Sequence, residues 1–174
     1  MPCNKKALFD LLEVLNEDLS KKITLIAVGG TAMTLLDLKE STIDIDLTIP
    51  GCDKTEFEKV LKNNPPGYKI DRWYDGYVFC QFLPNNYIEK SVKIKEFSKI
   101  SLRAIQPVDI IATKIGRLQK SDIQDIELIV KKANISEAEI RERASLILPT
   151  FVGQEVTYQY HLNLVIERFF KKQK

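Results

Sequence analysis

The chain has 174 residues, 44% of them hydrophobic and 29% charged, and a formal net charge of +2, a composition that argues against intrinsic disorder. Its apolar runs are too short to span a bilayer. Three scattered cysteines, Cys3, Cys52 and Cys80, and a single histidine, His161, argue against a disulfide framework and a His-rich metal site. The first residues carry no apolar leader, so we expect a one-domain cytoplasmic protein without membrane contact.

The charges are distributed unevenly along the sequence. Residues 1–60 carry 7 Lys/Arg and 11 Asp/Glu, whereas residues 87–120 carry 8 Lys/Arg and 3 Asp/Glu. This asymmetry has two interpretations. It is chance variation along a solvated surface, or an acidic, metal-binding half faces a basic half that holds a polyanion.

Hydrophobic periodicity and turn residues predict a helix, an α/β core, a β-rich segment and a helical tail. The first elements are a helix, a buried strand, a short helix, an alternating strand and a helix, at residues 5–19, 23–28, 31–38, 42–49 and 53–62. Four strands and four helices follow, near residues 68–73, 77–83, 92–97, 100–105, 107–120, 121–133, 136–148 and 154–172. Asp53 with Glu56, and Ser136 with Glu139, have the spacing of capping boxes that open helices.

The strand at 42–49 shows period-two alternation, so its side chains divide between two faces. One face is apolar and belongs in a core: Ile43, Ile45, Leu47 and Ile49. The other is polar: Thr42, Asp44, Asp46 and Thr48. Two carboxylates on one strand face lie roughly 7 Å apart at their Cα atoms, and an Mg²⁺ or Mn²⁺ ion relieves their repulsion. The alternative is an antiparallel strand with one solvated face.

A strand-to-helix turn of Gly29, Gly30 and Thr31 precedes this strand. Two glycines permit positive φ and a close approach of a ligand to the backbone. The start of a helix offers free N–H groups to an anion, and Thr31 adds a hydroxyl. Alone, the pattern is typical of a tight turn. Beside a metal-binding carboxylate pair, it favours phosphoryl or nucleotidyl transfer.

Lys114, Arg117 and Lys120 follow one another at three-residue steps in the helix predicted at 107–120. In that helix they would grip phosphates or form a solvated basic face. Asp122 and Asp125 come next and would charge the first turn of the following helix.

Four segments together resemble the polymerase-β-type nucleotidyltransferase superfamily: residues 28–32 (Val-Gly-Gly-Thr-Ala), 42–47 (Thr-Ile-Asp-Ile-Asp-Leu), 109–114 (Asp-Ile-Ile-Ala-Thr-Lys) and 122–126 (Asp-Ile-Gln-Asp-Ile). Within it, the sequence is most similar to the prokaryotic branch that includes the AbiEii-type toxins of abortive-infection and toxin–antitoxin systems. The resemblance covers about residues 23–130, and it implies an α+β nucleotidyltransferase fold. We expect a mixed, mainly antiparallel sheet flanked by helices, a core at 1–134 and a C-terminal helical extension at 135–174.

The resemblance implies transfer of a nucleoside monophosphate from an NTP. Asp44 and Asp46 match the ligands of Mg²⁺ or Mn²⁺. Gly29, Gly30 and Thr31 match the triphosphate-binding turn, where Thr31 replaces a commoner serine, and Arg117 is a further nucleotide-binding candidate. The catalytic candidates are Asp44, Asp46, Lys114, expected near the phosphates, and Asp122.

One departure concerns a third carboxylate, which the superfamily carries on a central strand after the Asp-x-Asp strand. Gln81 occupies the expected place, and an amide is a weak metal ligand and no base. If the register of the strands differs, Asp71, Asp75 or Glu89 supplies the third carboxylate, or Asp122 supplies it from a distant position in the sequence.

Two functions therefore stay open. The first is a metal-dependent nucleotidyltransferase, toxin-like, acting on RNA (tRNA among others) or protein and paired with a cognate antitoxin. The alternative is a degenerate domain that binds nucleotide or a protein partner without catalysis.

Overall fold

The computed structural model describes residues 2–171. In chain order its elements are β1 (Cys3–Asn4), α1 (Lys5–Asp18), β2 (Ile23–Ala27), α2 (Gly29–Leu35), β3 (Ser41–Thr42), β4 (Ile45–Ile49), α3 (Lys54–Asn63), β5 (Ile70–Tyr74), β6 (Tyr77–Val78), β7 (Gln81–Phe82), α4 (Tyr87–Lys90), β8 (Val92–Glu96), β9 (Ile100–Ala104), α5 (Pro107–Ile115), α6 (Lys120–Lys132), α7 (Glu137–Ile147) and α8 (Glu155–Phe169). In this part of the chain, no helix combines the length and apolar character that crossing a membrane requires.

The central sheet has five strands in the order β5-β4-β2-β9-β8. β4 lies antiparallel to β2 and parallel to β5, while β9 lies parallel to β2 and antiparallel to β8. Two antiparallel ribbons, β1-β3 and β6-β7, bring the antiparallel pairings to four of six among the described strands. The predicted α+β fold, with its mixed sheet flanked by helices, is confirmed.

Helix α1 shows how the leucine pattern becomes packing. The side chain of Asn4 caps the helix by accepting a 2.9 Å hydrogen bond from the backbone N–H of Ala7. Of the five leucines in the pattern, Leu11 is half-buried. The other four are buried: Leu8, Leu12, Leu15 and Leu19. The helix ends at Asp18, one residue before the predicted end.

The helical tail packs on α5. Tyr158 of α8 is fully buried, and its hydroxyl donates to the carbonyl of Ala112 at 2.8 Å. Arg143 of α7 donates to both carboxylate oxygens of the buried Asp109, at 2.6 and 2.8 Å. The tail therefore covers the core, whereas the boundary at residue 134 stays a prediction.

Two features of the tail match the sequence interpretation. The Ser136–Glu139 capping box is present at the start of α7. The Nδ1 atom of His161 lies 2.9 Å from the Ile115 carbonyl, a contact between α8 and α5 in keeping with a structural role. Helix α8 ends at Phe169 in the structure; the predicted end at Lys172 lies outside the described residues.

Other local predictions were wrong. Asp53 does not cap α3; its carboxylate accepts a 2.9 Å hydrogen bond from the backbone N–H of Thr24 in β2. The strand predicted at 77–83 is a short hairpin, because Phe79 has a left-handed φ of 55° between β6 and β7. Helix α4 was missed. The helix predicted at 107–120 ends at Ile115, before the left-handed Leu118 (φ 40°).

Candidate active site

The Asp-x-Asp pair lies at the beginning of β4, where threonine hydroxyls hold the backbone. Thr31 donates to the carbonyl of Asp44 at 3.3 Å and accepts from the N–H of Asp46 at 2.9 Å. The hydroxyl of Thr42 donates to the same Asp44 carbonyl at 2.9 Å. Thr31 is fully buried, so its hydroxyl positions the two aspartates. The sequence predicts that this hydroxyl donates to a phosphate, but in the structure it donates to the backbone carbonyl of Asp44.

The alternation in this strand is only partly as predicted. Ile45, Leu47 and Ile49 are buried, but Ile43 is 75% exposed, because it lies in the bend between β3 and β4. On the opposite face Thr48 is fully buried, so that face is solvated only near the two aspartates. The solvated-face alternative therefore does not describe the whole strand.

The glycine turn approaches the carboxylates closely. Gly29 begins α2, two residues before the predicted start, and has a φ of +53°. A Cβ atom on Gly29 would lie 3.1 Å from Oδ2 of Asp46, and one on Gly30 would lie 2.8 Å from Oγ1 of Thr42. Only glycine fits at position 29 without strain, and its lack of a side chain keeps the turn against the Asp46 carboxylate.

A third carboxylate lies beside this pair. β5 runs parallel to β4, and Asp71 is the direct register partner of Asp46. Paired residues on neighbouring strands present their side chains to the same face of a sheet. Nζ of Lys69 lies 2.7 Å from Oδ2 of Asp71 and 3.9 Å from Oδ2 of Asp44. Three carboxylates and one ammonium group are thus collected at one edge of the sheet.

Asp46 is the most perturbed acid of this group. The pKa of its carboxyl group is raised from 3.8 to about 6. Burial is the largest cause, the charges of Asp71 and Asp44 act in the same direction, and those of Arg117 and Lys114 oppose the rise. A carboxyl group with this pKa titrates close to neutral pH. Such a perturbation is typical of functional sites.

Gln81 lies in the β6-β7 ribbon and not on a strand of the central sheet. It is fully buried in β7, where its Nε2 donates to the carbonyls of Val78 and Thr113, at 3.1 and 3.3 Å. Its amide therefore joins the hairpin to α5. Sequence reasoning assigned Asp71 only as an alternative, because the loop of residues 63–67 hid the register of β5. The signal that would have identified Asp71 is the parallel pairing of β5 with the Asp-x-Asp strand.

Lys114 is engaged in a buried ion-pair network. Its side chain is 3% exposed, and its Nζ lies 2.8 Å from Asp122 and 2.8 Å from Asp125. Asp125 also pairs with Lys39 at 3.1 Å. Burial opposes the charge of Asp122, but the hydrogen bond and charge of Lys114, with Arg117, lower the pKa of this carboxyl group overall. Asp122 also closes a capping box with Gln119 at the start of α6.

The predicted basic helix face is wrong, because the three cations lie on separate segments. Lys114 belongs to α5, Arg117 to the turn after it, and Lys120 begins α6. Arg117 pairs with Asp122 at 3.1 Å, and its guanidinium lies 4.0 Å from the centroid of the Phe79 ring. Of the three, Lys114 and Arg117 have charges that act on Asp46.

The donor chemistry fits a divalent cation. Carboxylate oxygens are the ligands preferred by Mg²⁺ and Mn²⁺, and Asp44, Asp46 and Asp71 provide them with an ammonium group already among them. Within residues 2–171, however, no three acidic, histidine or cysteine side chains stand ready-arranged around one metal position. These carboxylates would have to rearrange around a bound ion.

A family model described as "Nucleotidyltransferase of unknown function (DUF6036)" matches residues 6–168. The chain belongs to this nucleotidyltransferase family. Its structure is similar to a crystal structure of ANT(2")-Ia in complex with adenylyl-2"-tobramycin, with 14% sequence identity and a TM-score of 0.52. The match covers 81% of this chain and 95% of that one, and it shows a shared fold. No curated protein matches the chain.

Membership of this family confirms the superfamily that the sequence resembles. The matched range extends beyond residues 23–130 at both ends and includes α7 and nearly all of α8. The narrower resemblance to the AbiEii-type branch stays a prediction.

Proposed function

We propose that this protein is an active, metal-dependent nucleotidyltransferase that moves a nucleoside monophosphate from an NTP to an acceptor hydroxyl. One observation carries this proposal: Asp71 is the register partner of Asp46 on the neighbouring parallel strand, with Asp44 two residues away. The family membership supports the reaction type. The degenerate alternative rested on Gln81 as the third residue of the site, and Asp71 removes that reason.

Asp44, Asp46 and Asp71 would hold Mg²⁺ or Mn²⁺. When bound, such an ion neutralises charge on the phosphate oxygens of the NTP. The Gly29 turn lies against Asp46, where we place the triphosphate, and the charges of Lys114 and Arg117 reach the same carboxylate. Because Lys114 is buried between Asp122 and Asp125, we assign Lys114 and Asp122 a positioning and electrostatic role.

In the proposed reaction, the acceptor oxygen forms a bond to the α-phosphorus, and the bond from that phosphorus to the bridging oxygen breaks. Pyrophosphate leaves. Asp71 takes the proton of the attacking hydroxyl, because its side chain is 34% exposed and so accessible from solvent. The acceptor that we propose is a hydroxyl of RNA, tRNA included, or of a protein, in a toxin-like role controlled by a cognate antitoxin.

The test is transfer of label from each NTP, labelled at its α-phosphate, to total RNA or to total protein in the presence of Mg²⁺ or Mn²⁺. We expect label in one acceptor fraction and equimolar pyrophosphate from the wild type. Asp46→Asn should abolish both products. Nucleotide binding without any labelled acceptor or pyrophosphate would instead support the degenerate domain.

The role of Asp71 has its own test in the same assay. We expect Asp71→Asn to lower transfer by at least about a hundredfold, the scale of losing a general base. Mn²⁺ should raise the melting temperature of the wild type by binding the folded site, and Asp71→Asn should reduce this rise. Asp10→Asn, on the solvated face of α1, is the matched control and should change neither quantity. If Asp71→Asn behaves like the control, the third carboxylate lies elsewhere.

A further inference from the structure

An aromatic cluster lies beside the Gly29 turn and is not used by the proposed chemistry. The ring of Phe79 would be 3.2 Å from a Cβ atom on Gly29, an atom that would itself be 3.1 Å from Asp46. Trp73 packs against Phe79 with ring centroids 5.5 Å apart, and Tyr77 against Trp73 at 5.9 Å. Trp73 follows Asp71 by two residues in β5, so it is on the same face of the sheet as the carboxylates.

The conformation of Phe79 is unfavourable for its residue type. Its φ of 55° lies in the left-handed region, where a bulky side chain is rare. Strain of this kind is concentrated at active sites and ligand clamps. Here the strained turn places an aromatic ring beside the Gly29–Asp46 contact.

Trp73 has an unsatisfied polar atom. Its indole Nε1 is buried and has no hydrogen-bond partner among the described residues. A buried donor of this kind is uncommon in folded proteins.

Arg117 also lies against the cluster, with its guanidinium carbon Cζ 4.0 Å from the Phe79 ring centroid. Its side chain is 34% exposed, so solvent reaches the guanidinium, and the ion pair with Asp122 holds it in place. Planar guanidinium and aromatic groups are the surfaces on which nucleobases stack.

We propose that Phe79, Trp73 and Arg117 form the subsite for the base of the NTP, and that stacking there favours purine nucleotides. This inference rests on the proposed function, because the triphosphate at Asp44, Asp46 and Asp71 brings the tethered base to the adjacent aromatic cluster. If the protein bound only the triphosphate part of the nucleotide, the surface formed by Phe79, Trp73 and Arg117 would stay unoccupied.

The test uses the emission of Trp73, the single tryptophan of the chain, and calorimetric binding of the four NTPs and of inorganic tripolyphosphate, all with Mg²⁺. We expect the NTPs to change the Trp73 emission, with purines binding more tightly than pyrimidines. Phe79→Leu should weaken purine NTP binding about five- to a hundredfold, the range measured for base–aromatic stacking, and leave tripolyphosphate binding unchanged.

Phe97→Leu is the matched control, because Phe97 is an equally half-buried ring that follows β8 at the opposite edge of the sheet. If Phe79→Leu fails to fold, Arg117→Lys retains the charge, loses the planar group and should show the same selective loss. Equal affinity of NTPs and tripolyphosphate, with unchanged Trp73 emission, overturns the subsite and leaves the proposed function standing. Absence of all binding overturns both.

Discussion

At the residue scale, Asp46 lies in the proposed active site, and its ionised carboxylate lowers the free energy of unfolding. Folding removes its carboxylate from water and sets it beside Asp71 and Asp44, so its pKa rises from 3.8 to about 6. The folded protein therefore binds this proton more tightly than the unfolded chain. The free energy of unfolding then falls as pH rises between these two values.

Asp46→Asn removes this penalty. We expect the apo variant to be more stable than the wild type by about 1–3 kcal/mol above the folded-state pKa, following the size of the shift. The two stabilities should converge as the pH falls below the unfolded-state pKa. Urea denaturation at several pH values measures the difference; a constant difference across this window would contradict the assigned pKa.

A substitution at Gln81 should destabilise the protein, in contrast to Asp46→Asn, because Gln81 has a structural role. Its amide donates two hydrogen bonds inside the core, to Val78 and Thr113. Gln81→Glu replaces the donor with a carboxylate facing two carbonyl oxygens, so we expect a loss of about 3 kcal/mol or more at neutral pH and no gain in transfer. Thermal unfolding and the transfer assay measure these effects. Higher transfer from a folded variant would restore Gln81 to the site.

At the element scale, α5 and α6 are joined by the ion pairs of Lys114 with Asp122 and Asp125. The residues are buried, so breaking the network leaves carboxylates unpaired in the interior. This network also holds Arg117 next to Phe79. The pairs of Lys114 with Asp122 and Asp125 are protected from solvent, whereas Arg117 is partly exposed beside the site.

Lys114→Met and Lys120→Met separate a structural role from a general basic surface. We expect Lys114→Met to lower the free energy of unfolding by about 3–5 kcal/mol, the cost of breaking a buried ion pair. Lys120 is exposed at the start of α6, so Lys120→Met should stay within about 0.5 kcal/mol of the wild type. Urea denaturation gives both values. A stable Lys114→Met variant that loses only NTP binding would show a direct phosphate contact instead.

At the scale of the whole molecule, the sheet and the helical tail share one core. α7 and α8 cover α5 through the Arg143–Asp109 pair and the buried Tyr158, and α5 in turn contacts α2, which begins at Gly29. The tail therefore supports the helix layer from which the active-site turn starts.

We expect a chain ending at residue 134 not to fold cooperatively, because it would expose the buried face of α5 and leave Asp109 unpaired. The full chain should unfold in one transition, with equal calorimetric and van't Hoff enthalpies. Differential scanning calorimetry of both chains measures this. A sharp transition in the shorter chain would make residues 1–134 an independent domain.

The sequence by itself determined the elements and motifs that depend on local chemistry. The leucine spacing of α1, the Ser136–Glu139 capping box and the Gly-Gly-Thr turn before Asp44 and Asp46 are all local patterns. The turn and the Asp-x-Asp strand, with the segments at 109–114 and 122–126, identified the superfamily. The tertiary structure decided which distant residues meet. The parallel pairing of β4 and β5 places Asp71 beside Asp46, and packing buries Lys114 between Asp122 and Asp125. Strand register and burial result from packing across the whole chain, and no local spacing encodes them.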